Sequence, residues 1–189
     1  MQQEYDLVIV GGGLAGNCLA LALKDTGLRM AIVEANTREQ LYDSSAGDRA
    51  LALAAGTVMM LNELDIWQGI SHAATPIKQI HISDQGHFGK TRLSAQKEGV
   101  DALGYVISAR DIESYVADRV ADAGIELISP ARVVGLMSGD NAVCVSLKQG
   151  NDSLNISASL LVGADGGLSS VRQLLDITCL LYTSDAADE

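Results

Sequence analysis

Three glycines spaced Gly11-x-Gly13-x-x-Gly16, with an acid, Glu34, closing the next apolar run, are the residues of this chain whose types and spacing could do chemistry. That chemistry is the grip on a dinucleotide pyrophosphate. Gly11 would serve a tight turn, Gly13 would let backbone approach a phosphate, and Gly16 would let a helix pack closely on a strand. The unpaired N–H groups of the first helical turn then face the anion, and the positive helix end adds roughly 0.3–1 kcal/mol per contact. Glu34 is placed to accept from adenosine ribose hydroxyls and to repel a 2′-phosphate, which disfavours NADP in this pocket.

Such a motif works only between the right elements. Tyr5-Asp-Leu-Val-Ile-Val10 predicts a strand feeding the glycines, residues 14 to about 26 a helix, and Met30-Ala-Ile-Val33 a second strand ending at the acid. A glycine-rich turn with no ligand is the bland alternative, and the matched strand, helix and acid weigh against it. Residues 38–48 are polar and turn-like, and residues 49–67 predict a helix buried against a sheet. Residues 77–94 alternate around Gly86 and Gly89, as antiparallel strands of a substrate-side layer would. A strand over 105–107 leads to Ser108-Ala-Arg-Asp111, which reads as a capping box opening a helix to about residue 123, stopped by Gly124. Strand candidates follow at 125–128, 132–137, 142–147 and 154–158. Residues 160–166, ending in Ala164-Asp165-Gly166, read as a parallel strand whose C-terminal edge faces a ligand crevice.

Composition sets outer limits. With 189 residues, 48% of them hydrophobic and 20% charged, the chain can bury one good core. Its net charge of −11 and the lack of any Lys/Arg cluster argue against a nucleic-acid partner. No apolar run is long enough to span a bilayer, and the N-terminus enters a strand at once, so a cytoplasmic location is expected. Cys18, Cys144 and Cys179 form neither a C-x-x-C pair nor an even disulfide set and read as structural. His72, His81 and His87 match no metal-ligand spacing; His81 and His87 flank Asp84-Gln-Gly86, a hairpin turn, and read as solvated strand ends. No metal is expected.

Four blocks stand in series: Gly11-Gly-Gly-Leu-Ala-Gly16 with Glu34; Asp48-Arg-Ala-Leu-Ala-Leu-Ala54; Ser108-Ala-Arg110; and Leu161-Val-Gly-Ala-Asp-Gly-Gly-Leu-Ser-Ser-Val-Arg172. Together they resemble the group A FAD-dependent aromatic monooxygenases over residues 4 to about 178. The run from Asp48 to Thr57, with Trp67 and the stretch from His81 to Gly89, is similar in particular to the ubiquinone-biosynthesis hydroxylases of that family. The resemblance implies an α/β fold: a Rossmann-like FAD-binding domain with a parallel sheet, plus part of an antiparallel substrate-side sheet. It implies FAD on Gly11, Gly12, Gly13, Leu14, Ala15, Gly16, Glu34 and Ala35. Arg49 and Arg110 match arginines near the flavin's pyrophosphate and ribityl chain, Val133 a strand passing the adenine, and Asp165-Gly166 a motif tied to FAD and to the passing nicotinamide nucleotide. Taken alone, either arginine is more often a surface ion-pair partner, and Asp165-Gly166 is as readily a simple strand-end turn.

The chemistry so implied is hydroxylation of a phenolic polyprenyl ubiquinone precursor with NAD(P)H and O2 through a C4a-hydroperoxyflavin, in a cavity kept dry. No side chain is nominated as catalytic. A lipid-tailed substrate would bring peripheral association with the inner membrane or a multienzyme assembly. An NAD-linked dehydrogenase, a flavin reductase and a non-catalytic dinucleotide module stay open as alternatives. Members of the family continue well past residue 178, so residues 1–178 read as an FAD-binding fragment with substrate-side strands inserted at about 77–107. Residues 179–189 read as a non-native, adapter-derived tail. Alone, the fragment is expected to be inactive, with an apolar sheet face uncovered.

Overall fold

Strand β1 (Gln3–Val10) leads through the glycines into helix α1 (Leu14–Leu23), which returns to strand β2 (Met30–Val33). This computed structural model describes residues 3–43, 48–83 and 89–178. β1 and β2 pair in parallel, and β2 also pairs in parallel with β8 (Glu126–Ile128). On its other side β1 pairs in parallel with β11 (Asp152–Gly163). β11 then continues antiparallel through β10 (Val143–Gln149) to β9 (Arg132–Ser138), giving a six-stranded sheet in the order β8-β2-β1-β11-β10-β9.

Two apolar cores form on the two faces of this sheet. Leu7, Ile9, Met30 and Ile32 pack with Ala20 and Leu21 of α1 and with Ile112, Val116 and Val120 of helix α6 (Ala109–Asp122). Val8, Val10, Ala31 and Val33 pack instead with Val133, Val145, Leu147 and Ile156 of the antiparallel strands. The central strands are therefore apolar on both faces, as a covered parallel sheet must be. Helix α7 (Ser170–Leu174) caps the second core through Val171, which lies against Gly163.

Residues 49–67 are not one helix. They begin as strand β3 (Ala50–Ala54), pass into α3 (Ala55–Glu63), and reach α4 (Trp67–Ile70) after Asp65, whose φ is +56°. Leu51 and Leu53 alternate rather than recur at helical spacing, and β3 pairs antiparallel with β7 (Gly104–Ser108). That pairing is close enough that a Cβ on Gly104 would sit 2.4 Å from the Leu53 carbonyl oxygen. β4 (Thr75–Ile77) pairs with the other edge of β7, and β5 (Gln79–Ser83) with β6 (Lys90–Ser94). The antiparallel strands expected over 77–94 are thus present, while the turn at Asp84-Gln-Gly86 and the tail at 179–189 lie outside the described residues. The short helix α5 (Ala95–Glu98) follows β6.

Three smaller readings also change. The polar stretch after Glu34 holds helix α2 (Arg38–Tyr42), opened by a capping box in which Thr37 accepts from the Gln40 amide and Gln40 from the Thr37 amide. α6 has no such box: Ser108 occupies the N-cap position without a side-chain cap, and the Ala109 amide donates to the Arg49 carbonyl at 2.8 Å. The pairing of β3 with β7 thus satisfies the first of the four amides that the helix itself leaves open. Finally, 154–158 and 160–166 are not two strands, because β11 runs unbroken from the antiparallel ladder into the parallel one.

Candidate nucleotide site

The three motif glycines differ sharply in what surrounds them. Gly11 has φ +111°, and a Cβ there would lie 2.4 Å from the Ala164 carbonyl oxygen; at Gly16 it would lie 2.0 Å from the Gly11 carbonyl oxygen. Backbone packs against both positions. A Cβ on Gly13 would meet nothing within 4 Å. Gly13 is the N-cap of α1, with extended backbone and no side-chain cap, so the opening helix amides face open space. Sterics thus explain Gly11 and Gly16 from within the fold. No contact within the fold calls for a glycine at position 13.

Glu34 sits beside this opening at the end of β2 and is buried. Its Oε2 accepts from the Gly12 amide at 2.8 Å, and its Oε1 from the Asn36 amide at 2.8 Å and the Asn36 side-chain Nδ2 at 3.1 Å. An ionised carboxylate offers about four acceptor positions. The one remaining lies on Oε2, enough for a hydroxyl donor. The Glu34 backbone is fixed as well: its amide donates to Ile128 and its carbonyl accepts from Ala131. Asn17, buried on α1, donates from Nδ2 to the Gly12 carbonyl at 2.7 Å and so braces the glycine loop from behind.

A cleft of about 680 Å³ runs from the glycines past Glu34 and along β9. Gly11, Gly13, Glu34, Ala35, Val133, Asp165 and Gly166 all line it. Gly12, Leu14, Ala15 and Gly16 belong to the adjoining loop and first helical turn, outside the lining. Sequence reading missed Asn36, Leu41, Arg132, Val134, Leu168 and Ser170 as lining residues. Leu168, 90% exposed directly after the Asp165-Gly166-Gly167 turn, was the one with a usable signal, a large apolar residue in a polar loop.

Asp165 is the most heavily bonded acid in the cleft. Its carboxylate accepts from the hydroxyls of Ser169 and Ser170 and from the amides of Ser170 and Val171, at the start of α7. Burial by itself would push the carboxyl up, but these donors together outweigh it and hold its pKa below the ordinary Asp value. Asp165 is therefore a fixed anion that ties the end of β11 to α7. Such a group is poorly suited to accept a proton.

Arg49 and Arg110 do not line the cleft. They lie side by side where β3 meets the start of α6, and Arg110 donates to Asp48 at 2.7 Å while stacking over the Tyr42 ring. The Asp48 carboxylate holds the Arg110 guanidinium still more firmly protonated than usual. Among the described residues no group of three or more His, Cys, Asp or Glu gathers as a metal site, and no helix is long and apolar enough to cross a membrane.

A family described as the FAD binding domain matches residues 4–186 of the chain. The ubiquinone hydroxylase UbiL of Rhodospirillum rubrum is 29% identical over 174 residues, covering 89% of this chain and 38% of that protein. The 3-demethoxyubiquinol 3-hydroxylase of Escherichia coli is 27% identical over 178 residues, covering 93% and 44%. Among solved structures, the OxyS anhydrotetracycline hydroxylase of Streptomyces rimosus superposes with a TM-score of 0.77 at 25% identity, over 92% of this chain and 34% of that one. The chain therefore spans less than half the length of each of these proteins.

Proposed function

Because the chain belongs to the FAD binding domain family, we propose that the cleft holds FAD and that the whole protein is a flavin-dependent monooxygenase hydroxylating a phenolic ubiquinone precursor with NAD(P)H and O2. The observation that carries the cofactor assignment is the open space in front of Gly13, bounded by two glycines that backbone crowds. The residues present fit the group. Amides at the start of α1 would take the pyrophosphate, the last acceptor position of Glu34 a ribose hydroxyl, and the cleft along Ala131–Val134 the adenine. FAD, when bound, would supply the redox chemistry between NAD(P)H and oxygen.

The chain's own residues bind and orient. Asn17 and Glu34 grip Gly12 from two sides, so the glycine loop is set before any ligand arrives. Asp165 holds the turn at 166–168 at the far end of the cleft and, being committed to four donors, holds a position rather than moving a proton. Arg49 and Arg110 would serve an anionic cofactor only by turning from their present partners, and Arg110 would have to leave Asp48. The hydroxylase reading is supported by the relatives named above, and with it come the polyprenyl substrate and contact with a membrane surface or a multienzyme assembly.

The cofactor reading is tested by titrating the chain with FAD, ADP, FMN and 2′,5′-ADP. FAD and ADP are expected to bind, with FMN and 2′,5′-ADP at least tenfold weaker; FMN binding as tightly as FAD would overturn the assignment. The activity reading is tested on the protein extended to the length of its relatives. NAD(P)H oxidation accelerated by a polyprenyl phenol, with hydroxylated product, supports it. Turnover of the nicotinamide without bound flavin would favour a dehydrogenase.

A further inference from the structure

Asn36 fills one whole oxygen of the Glu34 carboxylate. Its backbone amide donates to Oε1 at 2.8 Å, and its side-chain Nδ2 donates to the same oxygen at 3.1 Å. The opposite orientation of the side-chain amide would set its carbonyl oxygen against the carboxylate, so the donor faces Oε1. With about two acceptor positions on each carboxylate oxygen, Oε1 is saturated, whereas Oε2 accepts only from the Gly12 amide at 2.8 Å. The open position lies on Oε2.

Asn36 is itself held from two directions. Its carbonyl accepts from Ser129 Oγ at 2.7 Å, and Thr37, next in sequence, caps α2, which Arg38 ties to Asp118 of α6. The residue is half-buried and lines the cleft beside Glu34. We infer that Asn36 is a positioning residue for the nucleotide: by closing Oε1 it leaves Glu34 able to accept a single ribose hydroxyl, through Oε2. A carboxylate open on both oxygens would take the 2′ and the 3′ hydroxyl without preference. The inference rests on the nucleotide reading of the cleft and adds that selectivity between the two hydroxyls is set by Asn36, acting through Glu34.

Calorimetric titration of the full chain with ADP, 2′-deoxy-ADP and 3′-deoxy-ADP tests it. For the wild type, loss of one hydroxyl should weaken binding about tenfold and loss of the other less than about threefold. Asn36→Ala keeps the backbone donor but opens Oε1, and should bring the two deoxy nucleotides to within about twofold of each other. Asn36→Leu, close in size and without a side-chain donor, should do the same, which separates the lost hydrogen bond from lost volume. Thermal unfolding without ligand checks that both variants fold, and the wild-type comparison needs no variant at all. The inference is overturned if the wild type loses equally with either hydroxyl or if a folded variant keeps the wild-type ratio. It is equally overturned if the variants weaken all three nucleotides by one common factor, as a merely structural residue would. Each of those outcomes leaves ADP bound and the cofactor assignment standing; a wild-type chain that binds none of the three nucleotides overturns that assignment and this inference with it.

Discussion

Replacing Glu34 by Gln retains an acceptor for the Gly12 amide but removes the charge that also holds Asn36 and would meet the ribose. Hydrogen bonds to charged groups contribute about 1.5–3 kcal/mol, so FAD affinity should fall roughly 10- to 100-fold in a fluorescence-quenching titration. Relief of repulsion toward a 2′-phosphate should narrow the gap between ADP and 2′,5′-ADP in the same variant. Asp165 gives a pH signature with a definite sign. Its folded pKa lies below the unfolded one, so the stability it contributes is fully present above the ordinary Asp value and is lost as pH falls through the folded value. Asp165→Asn should therefore flatten the acid limb of a pH-stability curve measured by urea unfolding, and a wild-type-like acid limb in that variant would contradict the anchoring role.

The second sheet depends on one close approach, and the packed face beside β9 on one well-buried side chain. Gly104→Ala would push a methyl group against the Leu53 carbonyl and should loosen the pairing of β3 with β7, lowering the urea midpoint. Leu147→Ala, at a fully buried position, should cost about 2–5 kcal/mol in the same assay. How far these elements were legible in the residues varies for physical reasons. The β1-α1-β2 opening could be read directly, because apolar runs, glycines and the acid all specify the same local structure. β3 could not: Leu51 and Leu53 are compatible with either period, and only pairing with the distant β7 decides between them. The pairing of Arg110 with Asp48 was hidden for the same reason, since it is a contact between residues far apart in the chain, whereas the bracing of Gly12 by Asn17 is local and shows only once the loop and the first helical turn are folded. The glycines were legible as a set, but only the folded chain separates the two that backbone crowds from the one it leaves open.

As a whole, the chain carries a core on each face of its main sheet and the cleft proposed to hold FAD while spanning less than half the length of its named relatives. Large apolar residues such as Met137 and Leu160 stand exposed on its surface. An FAD-binding unit of this kind should bind cofactor without turning over NAD(P)H in the presence of a phenol, a separation that stopped-flow absorbance of the chain alone and of a protein extended to the length of its relatives would measure. The central claim is that the space before Gly13 belongs to a flavin dinucleotide's pyrophosphate, and Gly13→Ala addresses it most directly. Its φ of −76° suits alanine and no atom crowds a Cβ there, so thermal stability without ligand should match the wild type. FAD affinity should nevertheless drop at least 100-fold in a calorimetric titration. A Gly13→Ala chain that folds normally and binds FAD as the wild type does would contradict the account.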